Sequence, residues 1–457
     1  MLTADQATTI LNRTQTDPGW WIEHVLGNKP WDKQTEILAH VRDTQRTAVA
    51  SCHGAGKSWI AARAALWFLY AFPNSIVVTT APTFRQVRNV LWQEMRRAYR
   101  GALVPLGGHL NQTDLRLDDG WFAFGLTADD SDAFQGLHAE HLMVIVDEAA
   151  GLPPAIWTAI EGLLTSAHVR LLAIGNPTDP SGPFYDMFRQ PGIAKVHISA
   201  FDTPNVQAGE TIIPGLVTTE WVEERKQIWG EGSPLYQSRV LGEFPDAGTD
   251  TLIPLSWVEA AQQRELPAGK PKELGVDVAR FGDDETVIAL REGSRVRIVE
   301  RTRKHDTMDA TGRVTRQLSE TGAGIAKVDV IGIGSGVVDR GRETGKPFAG
   351  FNVGSRAADN ERFANARAEW YWGLRERFEQ GDIDLDPADE ELAGQLTGLR
   401  YEITSRGQIK IESKDDSKKR GVPSPDLADA VMLAYATQPQ TGARMIEYYE
   451  PVRISPY

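Results

Sequence analysis

From residue 46 to about 178 the chain alternates short, continuously apolar runs with longer stretches of helical periodicity. Residues 48–51 (AVAS) pass through a Gly-rich turn into AARAALWFLYAF, which reads as strand, loop and helix. Residues 75–82 (SIVVTTAP), 141–150 (HLMVIVDEAA) and 168–177 (HVRLLAIGNP) have the unbroken apolar character of strands covered on both faces. Strands of that kind, separated by helices, predict an α/β fold with a mainly parallel sheet. Residues 1–45 read as helical segments with a loop at 27–30.

Between 179 and 255 the pattern loosens into Pro- and Gly-punctuated pieces such as DPSGPF, FDTPN and EGSPLY, the texture of a linker or small subdomain. A new pattern follows: LGVDVA (274–279), a turn that includes Asp283 and Asp284, TVIALRE (286–292), a Gly-Ser turn and RVRIVERT (295–302). This predicts an antiparallel meander. Helical stretches at 307–322 and 361–379 flank a strand at 326–334 (AKVDVIGIG), and a last helix runs from Ser424 to about 437. The charged segment 412–421 (ESKDDSKKRG) reads as a solvated loop. The expected organisation is a core at 1–178, a linker or lid at 179–260, a second α/β domain at 261–440 and a tail at 441–457.

Composition sharpens this. At 457 residues the chain exceeds the roughly 250 at which a single core stops growing, so two domains are expected. No basic segment precedes an apolar run at the start, and no stretch approaches the roughly 18 apolar residues of a membrane helix, which predicts a soluble, non-exported protein. Cys52 is the single cysteine, excluding an intrachain disulfide and a cysteine-ligated zinc, and fitting a reducing cytosol. The net charge of −13 excludes a protein that coats nucleic acid by bulk positive charge, so any grip on DNA must be local. Abundant carboxylates suit a cation-dependent site instead.

Two motifs carry the chemistry of the first half. SCHGAGKS (51–58) is a P-loop pattern with Ser51 in place of the first Gly. His53, Gly54, Ala55 and Gly56 would wrap backbone N–H groups around phosphate oxygens, Lys57 would reach the outer phosphates, and Ser58 would ligate Mg²⁺. The strand at 142–146 ends in Asp147 and Glu148, at the sheet edge where ligands bind. Asp147 would join the Mg²⁺ shell and Glu148 would polarise the attacking water of an ATPase. Trp31 and Gln34 either stack on and hydrogen-bond the adenine or serve as a core Trp and a solvated Gln. Asn176 either senses the γ-phosphate or shapes an Asn-Pro turn. Arg85, Arg88, Arg96 and Arg97 are candidates for the arginine that neutralises transition-state charge, and spacing selects none of them.

In the second half Asp277 and Asp329 interrupt strands otherwise bound for a core, where an unpaired charge is expensive. Asp426 and Asp429 lie one turn apart at the start of the last helix, with Ser424 as the expected N-cap and Pro425 at N1. Carboxylates that converge repel unless a cation neutralises them, so the four suggest two divalent cations, Mg²⁺ or Mn²⁺, and phosphodiester hydrolysis. The basic run Lys414, Lys418, Lys419 and Arg420 is either solvated or a contact to the DNA backbone.

With these motifs in this order, the chain resembles the large terminase subunit of tailed bacteriophages from about residue 30 to 437. Beyond HGAGKS and VDEAAG the resemblance rests on IGNPTDPSGPFY, SPLYQSRVLGEFP, GVDVARFGDDETV, VDVIGIGSGVVD and SPDLADAVMLA. It implies an ATPase joined to a ribonuclease H-like nuclease that packages concatemeric double-stranded DNA through the portal protein of a procapsid. The implied partners include the small terminase subunit and further copies in a ring on the capsid. The implied location is the host cytoplasm and, transiently, the portal vertex, with no membrane partner. The same motifs carry over onto Lys57, Ser58, Asp147 and Glu148 for ATP hydrolysis and onto Asp277, Asp329 and Asp426/Asp429 for cleavage. Two rivals stand beside it: a helicase or remodelling ATPase whose second domain binds DNA without cutting, and a scaffold that uses nucleotide only for assembly.

Overall fold

The structure is a computed structural model that describes residues 4–127, 134, 137, 139–165, 168–245, 250–278, 285–303 and 306–437. Two compact units emerge, the first Met1–Gln262 with Pro387–Arg400 and Ser413–Ser424, the second Gln263–Asp386, Tyr401–Glu412 and Pro425–Tyr457.

In the first unit the apolar runs form β1 (Arg46–Ser51), β2 (Ile76–Ala81), β6 (His141–Asp147) and β7 (His168–Gly175). They pair in parallel in the order β2-β6-β7-β1. Patterning did not single out β8 (Ala194–Ile198), which adds in parallel beyond β1, or β5 (Trp121–Thr127), which adds in parallel beyond β2. An antiparallel edge of β4 (Asp114–Asp118) and β3 (His109–Leu110) completes eight strands. β2 is buried at every position, as a strand with helices on both faces must be. The helix Lys57–Ala71 after β1 buries nearly its whole circumference, and Leu142, Val144, Ile156, Trp157 and Leu171 belong to one apolar cluster. Helices Ala4–Thr16, Pro18–Val25 and Asp32–Asp43 occupy the N-terminal segment. The expected loop at 412–421 instead contains a helix, Lys414–Lys419, because the Ser413 hydroxyl accepts the Asp416 N–H and caps it.

The second unit has a five-stranded sheet, ordered β11-β10-β9-β12-β13, from β9 (Lys272–Asp277), β10 (Thr286–Glu292), β11 (Arg295–Thr302), β12 (Ala326–Asp329) and β13 (Phe348–Phe351). The meander is antiparallel and β9, β12 and β13 run parallel, the ribonuclease H-like arrangement. Leu274, Val276 and Val278 face helices Thr307–Thr321 and Gly334–Glu343 in one core. Helix Asp426–Tyr435 lies so close to the opposite face that a Cβ on Gly275 would collide with Ala430 O and Ala434 N. The strand expected over 326–334 stops at Asp329, whose Oδ1 accepts the Ile331 N–H at 3.0 Å and turns the chain toward the Gly334 helix. The last helix also starts later than expected: its cap is Pro425 rather than Ser424, and Asp426 is its first residue. The expected turn with Asp283 and Asp284 lies outside the described residues. Among the described residues no helix is long and apolar enough to cross a membrane.

Candidate functional site

The P-loop occupies the C-terminal end of β1. Gly54 (φ 66°) and Gly56 (φ 78°) take left-handed conformations that side chains with a Cβ rarely adopt, bending the backbone into a cradle before Lys57 opens the helix. A Cβ on Gly56 would also stand 2.7 Å from Gln34 Nε2. The left-handed backbone is what commits this position to glycine.

β6 delivers Asp147 beside this cradle, where the Ser58 hydroxyl donates to Asp147 Oδ2 at 2.7 Å. Asp147 is 1% exposed; burial, then the neighbouring charge of Glu148, pushes its carboxyl up to about 6. A half-buried hydroxyl–carboxylate pair offers the hard oxygen donors that Mg²⁺ takes. Glu148 follows in a left-handed conformation (φ 50°), rare for a residue with a side chain, and faces the cleft. Lys57 Nζ donates to Asn176 Oδ1 at 3.0 Å and to the Cys52 carbonyl at 3.4 Å, while Asn176 Nδ2 donates to the Ser51 carbonyl at 2.6 Å. Asn176 thus joins the end of β7 to both ends of the P-loop.

The loop residues 54–58 and Glu148 line a cleft of about 410 Å³ that also takes in Trp31, Gln34, Lys29, Trp59, Glu94 and Arg97. Trp31 is only 8% exposed and Gln34 4%, so Gln34 is not a solvated glutamine: its amide donates to the Gly56 carbonyl at 3.4 Å. Of the four candidate arginines, Arg97 lines the cleft and Arg85, Arg88 and Arg96 do not. His53 contributes backbone rather than ring, because its imidazole stacks on Trp221 with centroids 6.4 Å apart. Burial, then Arg239 and Lys57, holds that ring well below the usual histidine range and neutral. Burial also pushes the Cys52 thiol up to about 12, so it is no nucleophile.

Several groups around the loop escaped the sequence reading. Val217 N–H donates to the Gly54 carbonyl at 2.9 Å, His53 N–H to the Arg239 carbonyl at 2.8 Å, and residues 213–216 wall the cleft. Arg239 Nη2 donates to Glu259 at 3.1 Å. Burial pushes the Glu259 carboxyl up, against the opposing pull of Arg239 and a hydrogen bond from Thr178.

In the second unit the register Val276↔Val328 places Asp277 and Asp329 next to each other at the ends of β9 and β12. Asp277 shares the face of Gly275 and so points to the side covered by the last helix. Asp277, Asp426 and Asp429 are buried and Asp329 is half-buried. Four carboxylates with hard oxygen donors are chemically suited to Mg²⁺ or Mn²⁺. Yet among the described residues no three His, Cys, Asp or Glu side chains are gathered closely enough to hold a metal ion. Asp329, Asp426 and Asp429 each accept a hydrogen bond from another group. Asp429 Oδ1 accepts from Tyr371 Oη at 2.6 Å and from Arg367 at 3.4 Å, and Asp426 accepts the Glu285 N–H at 3.2 Å. Burial and then the Asp429 charge push the Tyr371 phenol far up, so it stays a donor. Tyr371 and Arg367 were not foreseen. Lys419 pairs with Asp416 at 2.7 Å, on a helix of the first unit.

No family model matches the chain. A curated relative, "Probable terminase, large subunit" of Enterobacteria phage P7, is 27% identical over 470 residues, covering 92% of this chain and 93% of its own length. Among solved structures, the nuclease domain of the large terminase subunit gp2 of bacterial virus Sf6 is 23% identical, with a TM-score of 0.38, 41% of this chain covered and 100% of that one. The large terminase of a thermophilic bacteriophage is 13% identical, with a TM-score of 0.43, 89% of this chain covered and 98% of that one. Over 92% of its length, the chain is similar to a probable phage large terminase subunit.

Proposed function

We propose that this chain hydrolyses ATP to drive double-stranded DNA through a portal into a procapsid, and cuts concatemeric DNA with the carboxylates of its second unit. The observation that carries the reading is the Ser58–Asp147 contact at 2.7 Å, which joins two motifs 89 residues apart at one cleft. Lys57, held over the P-loop by Asn176, exchanges that amide for the outer phosphates of ATP. Ser58 and Asp147 would hold Mg²⁺, which would supply positive charge against the phosphate oxygens. Glu148 orients and polarises the attacking water. Trp31 and Gln34 form the base end of the cleft, and Asn176 reports the state of Lys57 through the segment that follows β7 toward Thr178, Glu259 and Arg239. The first unit, with 179–260 as its lid, is the ATPase.

In the second unit Asp277, Asp329, Asp426 and Asp429 would hold divalent cations, whose chemistry is to lower the pKa of water and stabilise the leaving oxygen. Tyr371 and Arg367 keep Asp429 fixed for that task. The partners are duplex DNA, the portal, the small terminase subunit and further copies of the chain in a ring, in the host cytoplasm. Purified protein is to be assayed for ATP hydrolysis and for plasmid cleavage in Mg²⁺ or Mn²⁺. Lys57→Ala is expected to lower ATP hydrolysis by about 10²–10³-fold, the cost of a lost charge-stabilising donor. Asp277→Ala is expected to abolish cleavage while sparing hydrolysis. Cleavage that survives Asp277→Ala refutes the nuclease assignment and leaves the remodelling ATPase.

A further inference from the structure

We propose that Arg88, Arg96 and Arg100 form a docking surface for the phosphate backbone of duplex DNA on the first unit. The inference rests on the reading of the chain as a DNA motor and assigns the grip to one helix face.

In an unbroken α-helix, residues 88 and 96 would sit about 80° apart around the axis, since eight residues overshoot two turns. Here Val87–Leu91 forms a π-helical turn ahead of the helix Trp92–Arg100. Its extra residue absorbs most of that overshoot and brings Arg88 into line with Arg96. The Arg96 side chain reaches back to the turn that carries Arg88: its Nη2 donates to the Arg88 backbone carbonyl at 3.3 Å, and its other amine reaches the Gln112 carbonyl. Arg100 follows one turn after Arg96. The Arg96 guanidinium is held below its usual range by burial, then by the charges of Arg100 and Arg88.

Glu94, the one acid of the helix, does not relieve this repulsion, because it is taken by Arg63 at 2.8 Å and Arg97 at 3.3 Å. Among the described residues no carboxylate pairs with Arg88, Arg96 or Arg100, whereas Arg42, Arg46, Arg225 and Arg239 of the same unit are all paired. In a chain of net charge −13, three arginines along one helix face without a paired carboxylate form a local positive patch that suits an external anion. The row spans about 18 Å at 1.5 Å per residue. Duplex DNA presents a charge about every 1.7 Å of axis, so such a row faces several phosphates, each suited to a guanidinium fork. None of the three lines the nucleotide cleft, so the grip is separable from hydrolysis.

The test uses the full chain and a fluorescently labelled duplex, measuring affinity by anisotropy against salt concentration. Each lost phosphate contact should flatten the slope of log K against log salt by about 0.9, so R88Q/R100Q should lose about 1.8 and R88Q/R96Q/R100Q about 2.7. DNA-free ATP hydrolysis should be unchanged in both. The double variant spares Arg96 and its two hydrogen bonds, which guards against misfolding of the triple. A wild-type slope in the variants, with hydrolysis intact, overturns the surface while leaving the proposed function standing. Reduced DNA-free hydrolysis also overturns it and makes these arginines part of nucleotide chemistry. Displacement of the duplex by polyglutamate at equal charge would overturn it in favour of an acidic protein partner. A wild-type chain with neither ATP hydrolysis nor salt-dependent duplex binding refutes the motor reading itself.

Discussion

Gly275→Ala tests whether the second unit depends on the close approach of its last helix to β9. The added Cβ would lie 2.9 Å from Ala434 Cα and closer still to Ala430 O and Ala434 N, all backbone atoms that no rotamer change can move. Carbon contacts settle at about 3.5–4.0 Å, so the helix must retreat by roughly 1 Å. Overpacking of this kind costs about 1–3 kcal/mol. For a unit of this size that corresponds to a melting temperature about 2–12 °C lower. The same retreat carries Asp426 and Asp429 away from Asp277, and a misplacement of about 1 Å at reacting groups costs on the order of 10²-fold in rate. Calorimetry and plasmid cleavage should therefore fall together, while ATP hydrolysis stays at the wild-type rate. A variant that melts and cleaves like wild type would refute both the tight packing and its role in aligning the acids.

Tyr371→Phe removes a 2.6 Å hydrogen bond from buried Asp429 and should destabilise the second unit by about 1–3 kcal/mol in urea unfolding; an unchanged midpoint would contradict the assigned contact. In the first unit His141 and His168 share a hydrogen bond between their Nδ1 atoms at 2.8 Å, and burial, then Arg170 and His141, lowers His168 to about 4. Because the folded state disfavours the charged ring, this stability is present above about pH 6.5 and is lost as pH falls toward 4. His168→Gln should therefore lose less melting temperature than wild type over that interval, and equal losses would remove the histidine pair as the cause.

The phosphate cradle was legible because its chemistry is contiguous: two glycines, a lysine and a serine in six residues, and two acids at the end of an apolar run. What encloses it was not. Val217 and the Arg239 carbonyl reach the loop from more than 160 residues away through backbone atoms, which leave no side-chain signature in a sequence. Asp277 and Asp329 were conspicuous as charges inside strands, but Tyr371 and Arg367, which hold Asp429, lie on a helix, Ala366–Gln380, whose mixed residue types single out neither of them. β3 is two residues long and carries no periodicity at all. The helix at Lys414–Lys419 was legible in principle, since Ser413 three residues ahead of Asp416 is a capping pattern, but the run of charges around it reads as a solvated loop.

Glu148 holds a backbone conformation that glycine or asparagine would occupy with less strain, a difference of about 1 kcal/mol. Gly175 on β7 leaves room for it, since a Cβ there would stand 2.8 Å from Ala149 N. A search for more stable variants of this protein, scored on folding alone, would therefore be drawn toward replacing Glu148. With Glu148 in its proposed role of polarising water, thermostability and turnover become opposing objectives in this corner of the molecule, and a stabilised chain should be screened for hydrolysis before its melting temperature is taken as progress.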